Sequence, residues 1–223
     1  MSGIAPGELV KSRGSRYASA LGIDLAAPDA GERFKWFLAA VLYGTRISES
    51  LATRTWRELA ARGVLTPERI LATGWDGLVA ILDAGGYVRY DYKTATKLLE
   101  LCAALMRDYG GSLDALHDAA LDTRDLENRL KALGKGIGDI TVGIFLRELR
   151  GIWAKAEPPL SPLALAAATA QGYLQPDTLD PGRALARLRR RWAADGLPPT
   201  RFADFESALV REGLRLRRQR ASA

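Results

Sequence analysis

The chain has 223 residues, 48% hydrophobic and 26% charged, and carries a net charge of +6. That length suits one domain or two small lobes with a sizeable buried core. No apolar run is long enough to cross a bilayer, the single cysteine excludes an internal disulfide, and the opening residues have no apolar signal core. The expectation is a cytoplasmic protein, associated with the nucleoid if its partner is DNA.

Taken in order, nearly every segment reads as helix. Residues 1–31 form an N-terminal arm. In Glu32–Gly44, Phe34, Phe37, Leu38, Val41 and Leu42 recur at helical spacing. Ser48 or Ser50 can cap the next helix, which ends at Arg62-Gly63. Thr66-Pro67 pairs a cap with proline at the first helical position and opens a helix to Ala72; Trp75–Leu82 is another. Asp91 is placed to cap a long helix, Tyr92–Tyr109, closed by Gly110-Gly111. Ser112–Ala119, Thr123–Leu133 and Gly138–Leu149 follow. After a loop at Gly151–Leu160, Ser161-Pro162 repeats the cap-and-proline start, over Pro162–Tyr173. Two basic helices, Gly182–Ala194 and Ala203–Arg218, are separated by Pro198-Pro199. No hairpin or repeat pattern is present, so the class is all-α, with short helices joined by short loops.

Charge is unevenly spread. Residues 176–223 hold 11 arginines and six acidic residues, most of the net positive charge. Such a tail suits phosphate contact or an acidic partner surface; a solvated basic face is the alternative. Cys102, in KLLELCAALM, reads as a small core residue, and His117 as a helix-surface residue. One His and one Cys cannot make a usual zinc site.

The most informative stretch is Gly134-Lys135-Gly136-Ile137-Gly138, between two helical patterns. Alternate glycines permit positive φ and close backbone approach. The next helix starts with amides that lack intrahelical partners, a ready anion site. An ordinary Gly-capped corner is the competing reading. The run GIGDITVGIFL at Gly136–Leu146 resembles the helix-hairpin-helix of the endonuclease III-like DNA glycosylase superfamily. Gly136, Ile137, Gly138, Thr141 and Val142 fill the pattern's slots, and the likeness extends upstream to about Phe34. The resemblance implies a two-lobed helix-hairpin-helix glycosylase-like fold. Residues 32–150 would be a helical barrel lobe, with its helix-hairpin-helix at 123–150. Residues 151–223 would be a C-terminal lobe against which the arm packs.

It also implies a function: binding of double-stranded DNA, damaged or distorted, in base-excision repair. Lys135, Gly136, Ile137, Gly138 and Thr141 would meet a phosphate, and hairpin carbonyls in this superfamily often hold a monovalent cation. The single cysteine excludes the four-cysteine iron–sulfur cluster of many relatives, and no other cofactor is expected. Arg46 matches the position of the residue that fills the gap left by a displaced base. Gly85–Lys93 matches the wedge loop. There Tyr87, Tyr90 and Tyr92, interleaved with Arg89 and Lys93, suit base stacking and phosphate contact, while packing of Tyr90 and Tyr92 on the core with their hydroxyls at the rim is the plainer alternative.

The resemblance breaks at the catalytic positions. Ile140 stands in the slot of the Schiff-base lysine, which argues against a Lys-dependent AP lyase. Ser161 stands where the family places an aspartate, and Glu157 is the nearest substitute carboxylate. An N-glycosylase whose acid has moved and a catalytically silent damage-sensing module both remain open, as does a protein-interaction module with a basic tail. Oligomeric state is not legible.

Overall fold

A computed structural model describes residues 3–175 and 180–222. The remaining residues, two at the arm's start, 176–179 and 223 in the proposed C-terminal lobe, lie outside the described set. The described residues are helical and carry no β-strand, only an isolated bridge between Arg150 and Trp153. In chain order the helices are α1 (Pro6–Arg13), α2 (Tyr17–Ala20), α3 (Ala30–Tyr43), α4 (Glu49–Ala61), α5 (Pro67–Ala84) and α6 (Asp91–Tyr109). They continue as α7 (Leu113–Ala119), α8 (Thr123–Ala132), α9 (Asp139–Leu149), α10 (Pro162–Ala170), α11 (Pro181–Ala194) and α12 (Phe202–Ala221), with one 3-10 turn at Pro199–Arg201. No helix among the described residues is long and apolar enough to cross a membrane.

Local chemistry sets the helix starts. The side chains of Ser48, Thr66, Ser112, Asp122, Ser161 and Asp180 each accept a hydrogen bond from the amide three residues on. Gly74, at φ 68°, kinks α5 between the two stretches the sequence separates. Helix α6 departs from expectation: its N-cap is Tyr90, with no side-chain cap bond, and Asp91 is the first helical residue. The Asp91 carboxylate accepts from the Tyr92 amide (2.7 Å) and faces Asp83.

The chain divides into two compact units, residues 23–145 and residues 1–22 with 146–223, and passes from one to the other within α9. The larger continuous unit is built around α3, on which every residue from Phe34 to Leu42 except Lys35 is buried. Its Trp36 indole donates to the Phe145 carbonyl (3.1 Å), and Phe37 packs edge-on against Phe145 at 4.9 Å. Leucines of α4 to α8, among them Leu59, Leu78, Leu98, Leu116 and Leu130, close the core. Cys102 is fully buried there, and burial pushes its thiol pKa far up, so it serves as a core residue. The His117 side chain is mostly covered, not on the surface as expected, with Nδ1 3.1 Å from the Asp118 carboxylate.

The second unit packs the arm's α1 and the helix α10 on α12. Gly213 allows that approach: a Cβ there would overlap the Leu163 carbonyl. Trp192 stacks on Phe205 at 5.5 Å, and Tyr173 meets the same ring edge-on. Two buried carboxylates tie the rest. Glu148 accepts from the Tyr17 and Ala18 amides (2.7 Å each) and from Ser207, and burial raises its pKa. Glu212 is clasped by Arg215 and Arg13, which pull its pKa down to about 2.

Candidate nucleic-acid interface

The turn between α8 and α9 folds as the glycine spacing demands. Gly136 takes φ +86°, and the Ile137 amide donates to the Gly134 carbonyl (3.2 Å). Ile137, Thr141 and Val142 point into the core, while Lys135, Gly136, Gly138, Asp139 and Ile140 are exposed. The first intrahelical bond of α9 runs from the Val142 amide to the Gly138 carbonyl (3.0 Å). The amides of 139–141 come before it and have no intrahelical acceptor. Gly138 is unlike Gly136: its φ is not positive, and a Cβ added there would meet nothing within 4 Å.

Two other segments named by the sequence converge on this turn within the same unit. At the end of α3, a Cβ on Gly44 would overlap Thr141 Oγ1 and lie 3.3 Å from Thr141 Cα, so the two backbones are in contact. Arg46 follows, exposed. The loop between α5 and α6 is fastened to the same place by Tyr87, whose hydroxyl donates to the Leu42 carbonyl (3.3 Å). Tyr87 is 1% exposed, and its phenol pKa is raised by burial. As a DNA contact Tyr87 is therefore corrected: it belongs to the core, because the Leu42 carbonyl at the end of α3 supplies its hydroxyl with a buried partner. Tyr90 is half-buried, 6.2 Å from the Tyr87 ring, with the Arg89 guanidinium 5.6 Å above its own ring. Arg89 and Lys93 are exposed.

Lys97 was not among the expected site residues, yet its Nζ lies 3.4 Å from where a Gly136 Cβ would stand. Its half-buried position lowers the ammonium pKa. The i, i+4 spacing from Lys93 was its only signal in the sequence. Asp139 pairs with Lys131 at 2.5 Å on the surface. Ile140, in the slot where the resemblance puts a lysine, is 70% exposed and offers no amine.

The catalytic candidates Glu157 and Ser161 lie in the other unit. The Glu157 carboxylate accepts from Arg150 (2.7 Å) and from Arg189 (2.6 Å), and Arg150 also binds Glu206 (2.9 Å) and the Pro158 carbonyl (2.6 Å). Both oxygens are thus engaged by guanidinium N–H groups, Arg150 from within the 150–158 loop and Arg189 from α11, which gives Glu157 a structural role beside the catalytic one expected of it. Ser161 caps α10 through the Ala164 amide (3.2 Å) and does no more among the described contacts. The basic tail is also partly committed to structure. Arg189, Arg191, Arg201, Arg211, Arg215 and Arg218 bond to protein groups, whereas Arg183, Arg187, Arg190, Arg217 and Arg220 are exposed.

Among the described residues no three His, Cys, Asp or Glu side chains gather so as to hold a metal ion. No protein-family model matches the chain, and no curated protein matches it either.

Proposed function

We propose that the 23–145 unit binds double-stranded DNA by receiving a backbone phosphate on the amides at the start of α9. In this reading the protein is a helix-hairpin-helix protein of the base-excision-repair glycosylase type, and its preferred target is a distorted or damaged duplex. The observation that carries the reading is Gly138. Neither its φ nor any neighbour requires glycine, and the space its side chain would fill lies directly before the unpaired amides of residues 139–141. Glycine suits the N-cap of α9, and its missing side chain leaves room for a group from outside. Lys135 in the turn and Lys97 beside Gly136 add positive charge there, and in this reading the exposed Lys93 and Arg46 contact flanking phosphates. Hairpin carbonyls could take a monovalent cation alongside the phosphate. The test is duplex binding against salt, with Gly138→Val as the variant: affinity and salt slope should both fall.

A second reading, a catalytically silent damage-sensing module, is favoured by the acid positions. Ser161 is a neutral cap, Glu157 is held by two arginines, and Ile140 replaces the amine. A panel of duplexes with damaged bases separates the two. Base release marks an N-glycosylase; binding without release marks the module.

A further inference from the structure

Trp75 and Tyr92 form an exposed aromatic pair that neither the fold nor the phosphate site uses. Trp75 is 40% and Tyr92 60% exposed, with ring centroids 5.2 Å apart. The other four tryptophans are at most 7% exposed. The pair is built, not loose. Gly74, at φ 68°, kinks α5 immediately before Trp75. The indole Nε1 donates to Thr96 Oγ1 (3.1 Å), and that hydroxyl donates to the Tyr92 carbonyl (3.0 Å). The polar edge of the indole is thus satisfied within the protein.

We propose that Trp75 and Tyr92 are a stacking platform for an unpaired nucleobase next to the phosphate site. This rests on the nucleic-acid reading above and names the feature of the target that the site prefers. Two observations select a base over another apolar occupant. Lys93 and Arg89 are exposed on the same loop and first helical turn, the arrangement that single-stranded nucleic acid requires: cations for the backbone beside π-faces for the bases. The cations also lead toward the glycine turn, since Lys93, next to Tyr92, shares a face of α6 with Lys97 one turn on, and Lys97 reaches Gly136.

The test uses the intact chain, an oligodeoxythymidylate of about ten nucleotides, and a duplex with one unpaired base. Tryptophan fluorescence of the wild type should be quenched by the oligomer. Trp75→Phe should keep binding but lose the quenching, and Trp75→Ala or Tyr92→Ala should weaken oligomer binding roughly five- to hundredfold. Both side chains are exposed, and circular dichroism checks that each variant folds. The proposal is overturned if quenching persists in Trp75→Phe, or if Tyr92→Ala binds the oligomer as the wild type does. It also falls if Tyr92→Ala abolishes a DNA-independent self-association seen by sedimentation, which would make the patch a contact between two copies. If Tyr92→Ala changes nothing while Gly138→Val weakens duplex binding, the platform fails and the phosphate site stands. If neither DNA binds, both fail.

Discussion

Gly138→Val tests the phosphate site at a position where the added side chain clashes with nothing in the fold. A Cβ at 138 meets no atom within 4 Å, and the backbone there is outside the left-handed region. Gly138 is the N-cap of α9, where valine is worse than glycine, so the variant should fold with a loss of about 1 kcal/mol. The reduced freedom of the unfolded chain offsets a few tenths of a kcal/mol of that loss. Binding should respond differently. The valine methyls would occupy the space before the amides of 139–141, where the phosphate is proposed to sit. A hydrogen bond to a charged group contributes about 1.5–3 kcal/mol, so loss of one such contact weakens binding roughly ten- to 150-fold. If about five phosphates are neutralised, the log–log salt slope is about −4 to −5; the neutral amides add nothing to it, but displacing their phosphate also takes it from Lys135, which makes the slope shallower by about 0.9. The assay is fluorescence anisotropy of a labelled duplex across salt concentrations, beside a thermal melt of the variant. An unchanged affinity and slope in a folded variant would refute the placement of the phosphate. Gly136→Val is a poorer probe, because φ +86° strains valine and Lys97 crowds it.

Three further outcomes follow from the same contacts. Gly44→Ala should destabilise by about 1–3 kcal/mol in urea unfolding, since its Cβ would overlap Thr141 Oγ1 and press on the Ala40 carbonyl at 3.1 Å; adding Thr141→Ala should recover part of the loss. Glu212 has its folded pKa held down to about 2 by Arg215 and Arg13, so its contribution is full above its ordinary 4.5 and is lost as pH falls toward 2. The melting temperature of Glu212→Gln should accordingly fall less steeply than that of the wild type between pH 5 and about 2, whereas Glu148, raised by burial, acts in the opposite sense above pH 4.5. With Ile140 in the lysine slot, borohydride should trap no covalent adduct with abasic DNA; an adduct mapped to Lys97, Lys93 or Lys135 would show that an amine has relocated.

Legibility in the sequence followed the range of the interactions involved. Helix starts such as Ser48, Thr66 and Ser161 were readable because the cap and the amide it serves are three residues apart. The kink of α5 was readable because Gly74 makes it locally. The start of α6 was not: Asp91 has the chemistry of a cap, but its carboxylate turns to its own neighbour's amide and to Asp83, eight residues back. Helix α1 was missed, although Pro6 at its first turn and Gly14 after its end are ordinary signals, because its start has no side-chain cap. Which tyrosine of the 85–93 loop belongs to the core depends on a carbonyl 45 residues away, and no local pattern carries that. The same holds for the Glu157 clasp, half of which comes from Arg189. The sequence marks Trp75 only as the start of a helix, since exposure is decided by what the rest of the chain leaves uncovered.

The central claim is that phosphate docks on the start of α9, and amide chemical shifts test it most directly. In a nitrogen–proton correlation spectrum of the labelled protein titrated with duplex DNA, the account predicts the largest shifts at the backbone amides of Gly138, Asp139, Ile140 and Thr141, with smaller ones around Arg46 and Lys93. Shifts confined to the arginine helices α11 and α12, with those four amides unmoved, would contradict it.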